Sequence, residues 1–274
     1  MADSVTRHYG SGADALASKI RDSLLAAGKD PANLTAADLA SIDEFHIRGR
    51  KATLELGERM ELRDDAHALD IGSGLGGPAR TLARTYGCRV TGVDLTEAFC
   101  EAAAELSRWV GLDDKVRFEP ADAADLPFAE GTFDAAVTIH AAMNIPAKDA
   151  VYAEAKRVLK PRGVFAIYDV LAGEGGDVIF PVPWARDPSI SHLATPARMR
   201  ELLAAAGFEI VHEHDSTAES LSWFREMTER IEQSGPPPVT FALFLGEDFP
   251  TMARNQVRNL AEGRVRTVTY ICRA

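Results

Sequence analysis

Apolar residues recur along this chain with two different periods, and the change from one to the other divides it. Over residues 13–27, Leu16, Ile20 and Leu24 fall on one helical face, and Gly28 ends the segment. Thr35 with Asp38 three residues later has the form of a capping box, predicting a helix that runs to Phe45. Leu54, Leu56 and Met60 continue helical spacing over residues 50–62. Residues 1–64 therefore read as a helical N-terminal cap, and 65–274 as a core.

From residue 65 onward, short apolar runs alternate with amphipathic stretches. Strands are predicted at 66–71, 89–94, 116–119, 133–139, 164–170, 208–212 and 265–272. Helices are predicted at 76–86, from a Thr96 cap to 110, at 149–159 and at 196–206. This alternation is the signature of an α/β, Rossmann-like fold: a mostly parallel seven-stranded sheet with helices on both faces. The last strand is expected antiparallel, at the sheet edge or beside it. Two stretches break the alternation and read as inserted lids. Residues 172–193 are rich in glycine and proline and include Phe180, Trp184 and Arg186. Residues 220–263 hold an amphipathic helix with Leu221, Phe224, Met227 and Ile231, a proline run at 236–238 and a helix at 250–261. Insertions of this size beyond strand ends commonly cover a site, and 172–193 is expected to order when substrate binds.

Charge and composition narrow the partners. The net charge is −11 with no block of lysine or arginine, which argues against a nucleic-acid substrate. Apolar runs stay short of a membrane span and the first residues are polar, so no membrane association is expected and a cytoplasmic location is. Cys88, Cys100 and Cys272 are odd in number and lack metal-ligand spacing, so they read as reduced thiols with no metal site.

The candidate chemistry gathers around Asp70, Gly72, Gly74 and Gly76, followed by a strand that ends in Asp94. The glycines permit a sharp turn and a close backbone approach to a ligand, and the next helix aims free N–H groups at it. Asp94 lies about 20 residues further on, where nucleotide-binding folds place a ribose-hydroxyl acceptor. The glycine spacing alone also fits a dinucleotide. A carboxylate at Asp70, however, would repel a pyrophosphate and suits a ligand that carries an ammonium and a sulfonium, such as S-adenosyl-L-methionine. A nicotinamide dinucleotide, or a glycine turn without ligand, stays open as an alternative. His140 ends the fourth predicted strand and Asp169 lies in the fifth, so both are expected to face the crevice above the sheet. If a base is needed, His140 would take the proton and Asp169 would orient it. Phe45, His46 and Arg48, beside Gly49, could line a pocket entrance.

The ordered set resembles the class I S-adenosylmethionine-dependent methyltransferases. It runs from 69–76 through 92–95, Asp122–Ala123 and Phe133–Asp134 to 157–163 and the strand with Asp169. Within that superfamily the chain is similar to small-molecule enzymes of the sarcosine/dimethylglycine and ubiquinone-biosynthesis types, on residues 45–49, 74–79, 143–145 and 183–185. The resemblance implies that Gly72, Gly74 and Gly76 pass under the methionine portion, with Asp70 near its ammonium group. It likewise implies that Asp94 accepts from both ribose hydroxyls, Leu95 packs on adenine, and Asp122 with Ala123 reads the adenine amino group. His140 would border the cofactor, and Phe45, His46, Arg48, Met143, Asn144 and Trp184 would meet the acceptor. Related sugar O-methyltransferases carry a histidine pair after the fourth strand, and here the equivalent stretch, 140–144, has His140 alone. That tilts the expectation toward a small amine acceptor, with Phe180, Trp184, Trp223 and Phe224 as an aromatic wall and Arg48 or Arg186 holding a carboxylate. O- or C-methylation of a quinone-like or natural-product acceptor is the alternative. An oxidoreductase or a non-catalytic binder is the rival of another class. A homodimer is compatible with the sequence.

Overall fold

The computed structural model describes residues 13–30, 33–237 and 239–274. The first 12 residues of the expected cap and Pro238 of the proline run lie outside them. The strands are β1 (His67–Ile71), β2 (Arg89–Asp94), β3 (Val116–Pro120), β4 (Phe133–Ile139), β5 (Leu159–Ala172), β6 (Glu209–Asp215) and β7 (Val265–Arg273). They form one sheet in the order β3-β2-β1-β4-β5-β7-β6. Neighbours from β3 to β5 pair in parallel, and β7 pairs antiparallel with both β5 and β6.

Helices α1 (Ala13–Ala26), α2 (Arg50–Arg59), α3 (Gly77–Tyr86) and α4 (Glu97–Trp109) bury their apolar stripes on one face of the sheet. Helices α5 (Lys148–Val158) and α6 (Pro196–Ala205) cover the other. Successive strand residues divide between the two layers: Ala68 packs with Leu16 and Leu82, and Leu69 with Val151 and Phe165. A strand covered on both sides has to be apolar almost throughout, which is why β1 and β4 read as largely apolar runs.

One expectation is corrected here. Residues 36–45 form turns and bends instead of a helix. The local signal is present, since the Thr35 amide and hydroxyl both donate to Asp38 at 2.9 and 2.6 Å. It fails to propagate because Asp43 and Glu44 are held by Arg80 and Thr81 of α3. Strand β7 is antiparallel and lies beside the sheet edge, as expected, between β5 and β6. Its residues are buried on both faces where it crosses the core, whereas the outermost strand, β6, carries Glu209, His212, Glu213, His214 and Asp215. A polar, charged strand suits an edge, where it discourages pairing with a second chain.

The remaining helices, α7 (Thr217–Ser234), α8 (Ala242–Leu245) and α9 (Phe249–Ala261), belong to the second insertion. Residues 172–193 pack firmly on α9, with Val182, Trp184 and Ala185 buried. The fully buried Asn259 accepts from the Ile179 amide at 2.8 Å and donates to the Ile179 carbonyl at 2.9 Å. Asn259→Ala strands both backbone groups and is expected to cost about 1–3 kcal/mol. Urea unfolding measures it, and a loss under about 0.5 kcal/mol would show that this clamp is not what holds the segment.

Candidate functional site

The strand order reverses in the sheet between the parallel neighbours β1 and β4, and a cavity of about 320 Å³ opens beside their carboxyl ends. The turn after β1 forms its floor. The Gly72 and Ser73 amides both donate to the Val93 carbonyl, at 2.8 and 2.9 Å, which folds the turn back over β2. Gly72, Gly74 and Gly76 all have positive φ, at 78°, 51° and 78°. Their roles differ. A side chain on Gly72 would strike Ala141, and one on Gly76 would strike Phe118 and Arg80, whereas nothing lies within 4 Å of the Cβ position of Gly74. Gly72 and Gly74 border the cavity; Gly76, expected under the ligand, instead caps α3 behind it.

Asp94 ties this turn to the next helix. Its Oδ2 accepts from the Gly74 amide and its Oδ1 from the Thr96 amide, each at 2.9 Å. Burial raises its pKa, while those amides pull it down. Asp122 accepts from the Ala124 amide at 2.9 Å and borders the cavity with Ala123. Leu95 stands at the rim with 43% of its surface exposed, an apolar platform of the kind a planar base can cover.

Asp70 does not border the cavity. It lies buried beneath the turn, and its Oδ2, like Ser73 Oγ, has no hydrogen-bond partner among the described residues. Burial first, then Asp94 and Glu44, push its pKa up to about 7. Burial does the same to Asp169, also to about 7, with Lys148 opposing. An acid with a raised folded-state pKa is no burden while protonated. It weakens folding progressively as pH climbs from its unfolded value near 4 to its folded value near 7. The ligand-free protein should therefore lose stability over that interval, and Asp70→Asn should flatten the slope. Denaturant titrations at pH 5 and pH 8 test this; equal slopes in wild type and variant would contradict it.

Around the other part of the cavity stand Phe45, His46, Ile139, His140, Asn144 and Ile145. His140 adopts φ 49° just past β4, and its ring lies 4.8 Å from Tyr168 and 5.9 Å from His46. Burial, then the neighbouring His46, hold its pKa well below the usual imidazole value. The expected His140–Asp169 pairing is corrected. Adjacent residues of β5 face opposite sides of the sheet, so Tyr168 meets His140 while Asp169 turns away, outside the cavity lining.

Three of the expected acceptor contacts also lie elsewhere. Met143 and Trp184 belong to an apolar cluster with Val170, Val182 and Ile190, away from the lining. Arg48 is bound by Glu55 at 2.5 Å in a separate depression under α2. Asn144 lines the cavity and also donates to the Trp184 and Ile190 carbonyls, at 2.8 and 2.7 Å, joining the site to residues 172–193. Sequence reading missed Ile42, Asp43 and Phe99, which help to line the cavity, and the support that Glu44 and Thr53 give His46. For Ile42, Asp43 and Glu44 the visible signal was position beside Phe45 and His46; Phe99 and Thr53 carried none.

Asp43, Asp94 and Asp122 line this cavity, and among the described residues no lysine or arginine does. Such a lining repels a pyrophosphate and fits a cationic nucleoside whose ribose and amino groups are donors. The unpartnered Ser73 hydroxyl, in the turn that borders the cavity, fits the same ligand. Fold and site together are those of an α/β protein with an acidic crevice at the carboxyl ends of its parallel strands.

The family model of a methyltransferase domain matches residues 69–167. Sterol 24-C-methyltransferase of Eremothecium gossypii is 33% identical over 181 residues, covering 63% of this chain and 48% of that one. Methyltransferase GfsG of Streptomyces halstedii is 38% identical over 134 residues, covering 49% and 48%. The chain thus spans about half the length of these curated relatives. Among solved structures, the 4+2 cyclase SpnF superposes with a TM-score of 0.66 at 26% identity, covering 94% of this chain and 93% of that one. Residues 69–167 thus match a methyltransferase domain, and solved structures of similar fold include N-methyltransferases in complex with S-adenosyl-L-methionine or S-adenosylhomocysteine. No helix among the described residues is long and apolar enough to cross a membrane.

Proposed function

We propose that this protein transfers a methyl group from S-adenosylmethionine to an apolar small-molecule acceptor, at carbon or oxygen. One observation carries the choice of acceptor. The features that favoured an amine with a carboxylate stand outside the cavity, while the lining near His46 and His140 is apolar or uncharged. Arg48 is paired with Glu55, and Arg186 with Asp248. Phe180, Trp184, Trp223 and Phe224 pack into the apolar cluster around Val182. The relatives named as sterol C-methyltransferases support the same direction.

The cofactor supplies an electrophilic methyl group. Asp94 and Asp122 offer acceptors for its hydroxyl and amino donors, Gly74 gives close backbone approach, and Leu95 gives an apolar face. Phe45, Ile139 and Ile145 orient the acceptor and exclude water, which is most of what a methyl displacement asks of a protein. A carbon or oxygen acceptor also gives up a proton, so a neutral base must border the site.

The test is competitive turnover with labelled S-adenosylmethionine over a panel of sterols, isoprenoid alcohols, phenols, sarcosine and dimethylglycine. Label is expected in an apolar product. Transfer to sarcosine or dimethylglycine in preference would restore the amine reading. A second reading, a protein that binds the cofactor on this fold without transferring methyl, rests on the breadth of the match to the 4+2 cyclase SpnF, and binding of S-adenosylhomocysteine with no transfer to any acceptor would favour it.

A further inference from the structure

The two histidines of the cavity are not equivalent, and their hydrogen bonds separate them. His46 Nε2 lies 3.0 Å from the Gly49 carbonyl, an atom that can only accept, so Nε2 carries the hydrogen. Thr53 Oγ1 is 3.3 Å away and donates its own hydrogen to Glu44, which turns its lone pairs to the ring. The nearest Glu44 oxygen lies 3.5 Å from the same nitrogen. Acceptors alone converge on Nε2. Nδ1 is therefore the basic atom of a residue that lines the cavity. His140 has the opposite surroundings, for its Nε2 is buried without a partner among the described residues and its charged neighbour would be His46.

We infer that His46, held in its Nε2–H tautomer by Gly49 and Thr53, is the proton acceptor of the reaction, with Glu44 as its positioning residue. This rests on the proposed methyl transfer to carbon or oxygen. An acceptor C–H or O–H bond breaks, its electron pair forms the new bond to the methyl carbon, and the proton goes to His46 Nδ1. The sulfonium leaves as a neutral thioether with the electron pair of the broken S–C bond, so one positive charge passes to the imidazole. Glu44 is the anion that faces that charge, and it is itself fixed by the hydroxyls of Thr53 and Thr81.

Charged and titratable groups on every side bear on His46. Burial, foremost, and Arg48 lower its pKa, and Glu44 raises it. Arg50 lies 3.5 Å from Glu44 and tempers that carboxylate. His140 from the end of β4 and Tyr168 from β5 present their ring edges or faces at 5.9 and 6.3 Å.

The experiment uses the whole chain, labelled with ¹⁵N-histidine and saturated with S-adenosylhomocysteine, and reads ring nitrogens by NMR. His46→Gln assigns the signals. At pH 8 His46 is expected as the Nε2–H tautomer, and Glu44→Gln should lower its titration midpoint by about one unit. A cofactor affinity within about twofold of wild type shows that the Glu44 variant is folded. An Nδ1–H tautomer, or an unmoved midpoint in Glu44→Gln, overturns the assignment. With whichever panel acceptor the wild type methylates, His46→Gln should lower kcat about 100-fold. Glu44→Gln should move the acid limb of the pH–rate profile with the NMR midpoint. Wild-type turnover that survives His46→Gln also overturns it. If the wild type methylates nothing on the panel, the proposed function fails, and the NMR result still decides tautomer and pairing.

Discussion

Arg80→Ala should destabilise the protein by about 3–5 kcal/mol, the cost of leaving a buried charge without its partner. Arg80 is 2% exposed and sits in the first turns of α3, directly behind the glycine turn. It pairs with Asp43, donates to the Leu75 carbonyl at 2.6 Å, and reaches Ser107 and the Ala103 carbonyl on α4 at 3.0 and 3.1 Å. One side chain therefore joins the glycine turn, the next helix and the segment that carries Phe45 and His46. Burial already raises the Asp43 pKa, and Arg80 is the main influence holding it down. Without the guanidinium, Asp43 must stay protonated or leave its site. The penalty should consequently shrink as pH falls, because a neutral carboxyl needs no cation. Chemical unfolding at pH 8 and pH 5 measures both points. Asp43→Leu combined with Arg80→Met should recover much of the loss, since a matched apolar pair has no charge to desolvate. A single-variant loss below about 1 kcal/mol would remove this pair from the account.

Asp94→Ala is expected to weaken S-adenosylhomocysteine binding by about 10- to 150-fold, or about 1.4–3 kcal/mol. Two losses combine. The ligand would lose the carboxylate proposed as its ribose acceptor, and the Gly74 and Thr96 amides lose the acceptor that sets the turn. Asp94→Asn keeps one carbonyl oxygen for a single amide and should fall between. Calorimetry measures the affinities, and melting of each variant without ligand controls for folding. An affinity within about twofold of wild type would take Asp94 out of the ribose site.

Much of the cofactor side was legible in the sequence. Glycines and acids punctuate the apolar runs where strands end, and in a parallel sheet those ends border one crevice, so Gly74, Asp94 and Asp122 could be placed. Gly76 and Asp70 were harder, because the same turn brings Gly72 and Gly74 to the cavity and seats Gly76 against Phe118 and Arg80. The acceptor side was less legible. Residues 35–49 begin with a capping contact that does form, yet their path is set by Arg80 and Thr81, each 37 residues from its partner. Gly77 permits this docking, since a side chain there would run into the Asp43 carbonyl. No local pattern announces contacts of that range.

Asp169 illustrates a second limit. Strand β5 is buried on both faces, so its apolar run gives no hint of which residues face the crevice, and the pleat puts Tyr168 beside His140 instead. Trp184 shows a third. An aromatic residue in a proline-rich segment looks available to a ligand, but Asn144 and Ser191 hold it in the apolar cluster around Val182.

The cavity's acidic, lysine- and arginine-free lining is the centre of this account, and calorimetry of the unmodified protein with S-adenosylhomocysteine, NAD and NADP tests it most directly. S-adenosylhomocysteine should bind saturably at one site per chain, and neither dinucleotide should bind or displace it. Saturable binding of NAD or NADP in competition with S-adenosylhomocysteine, or in its place, would contradict the assignment.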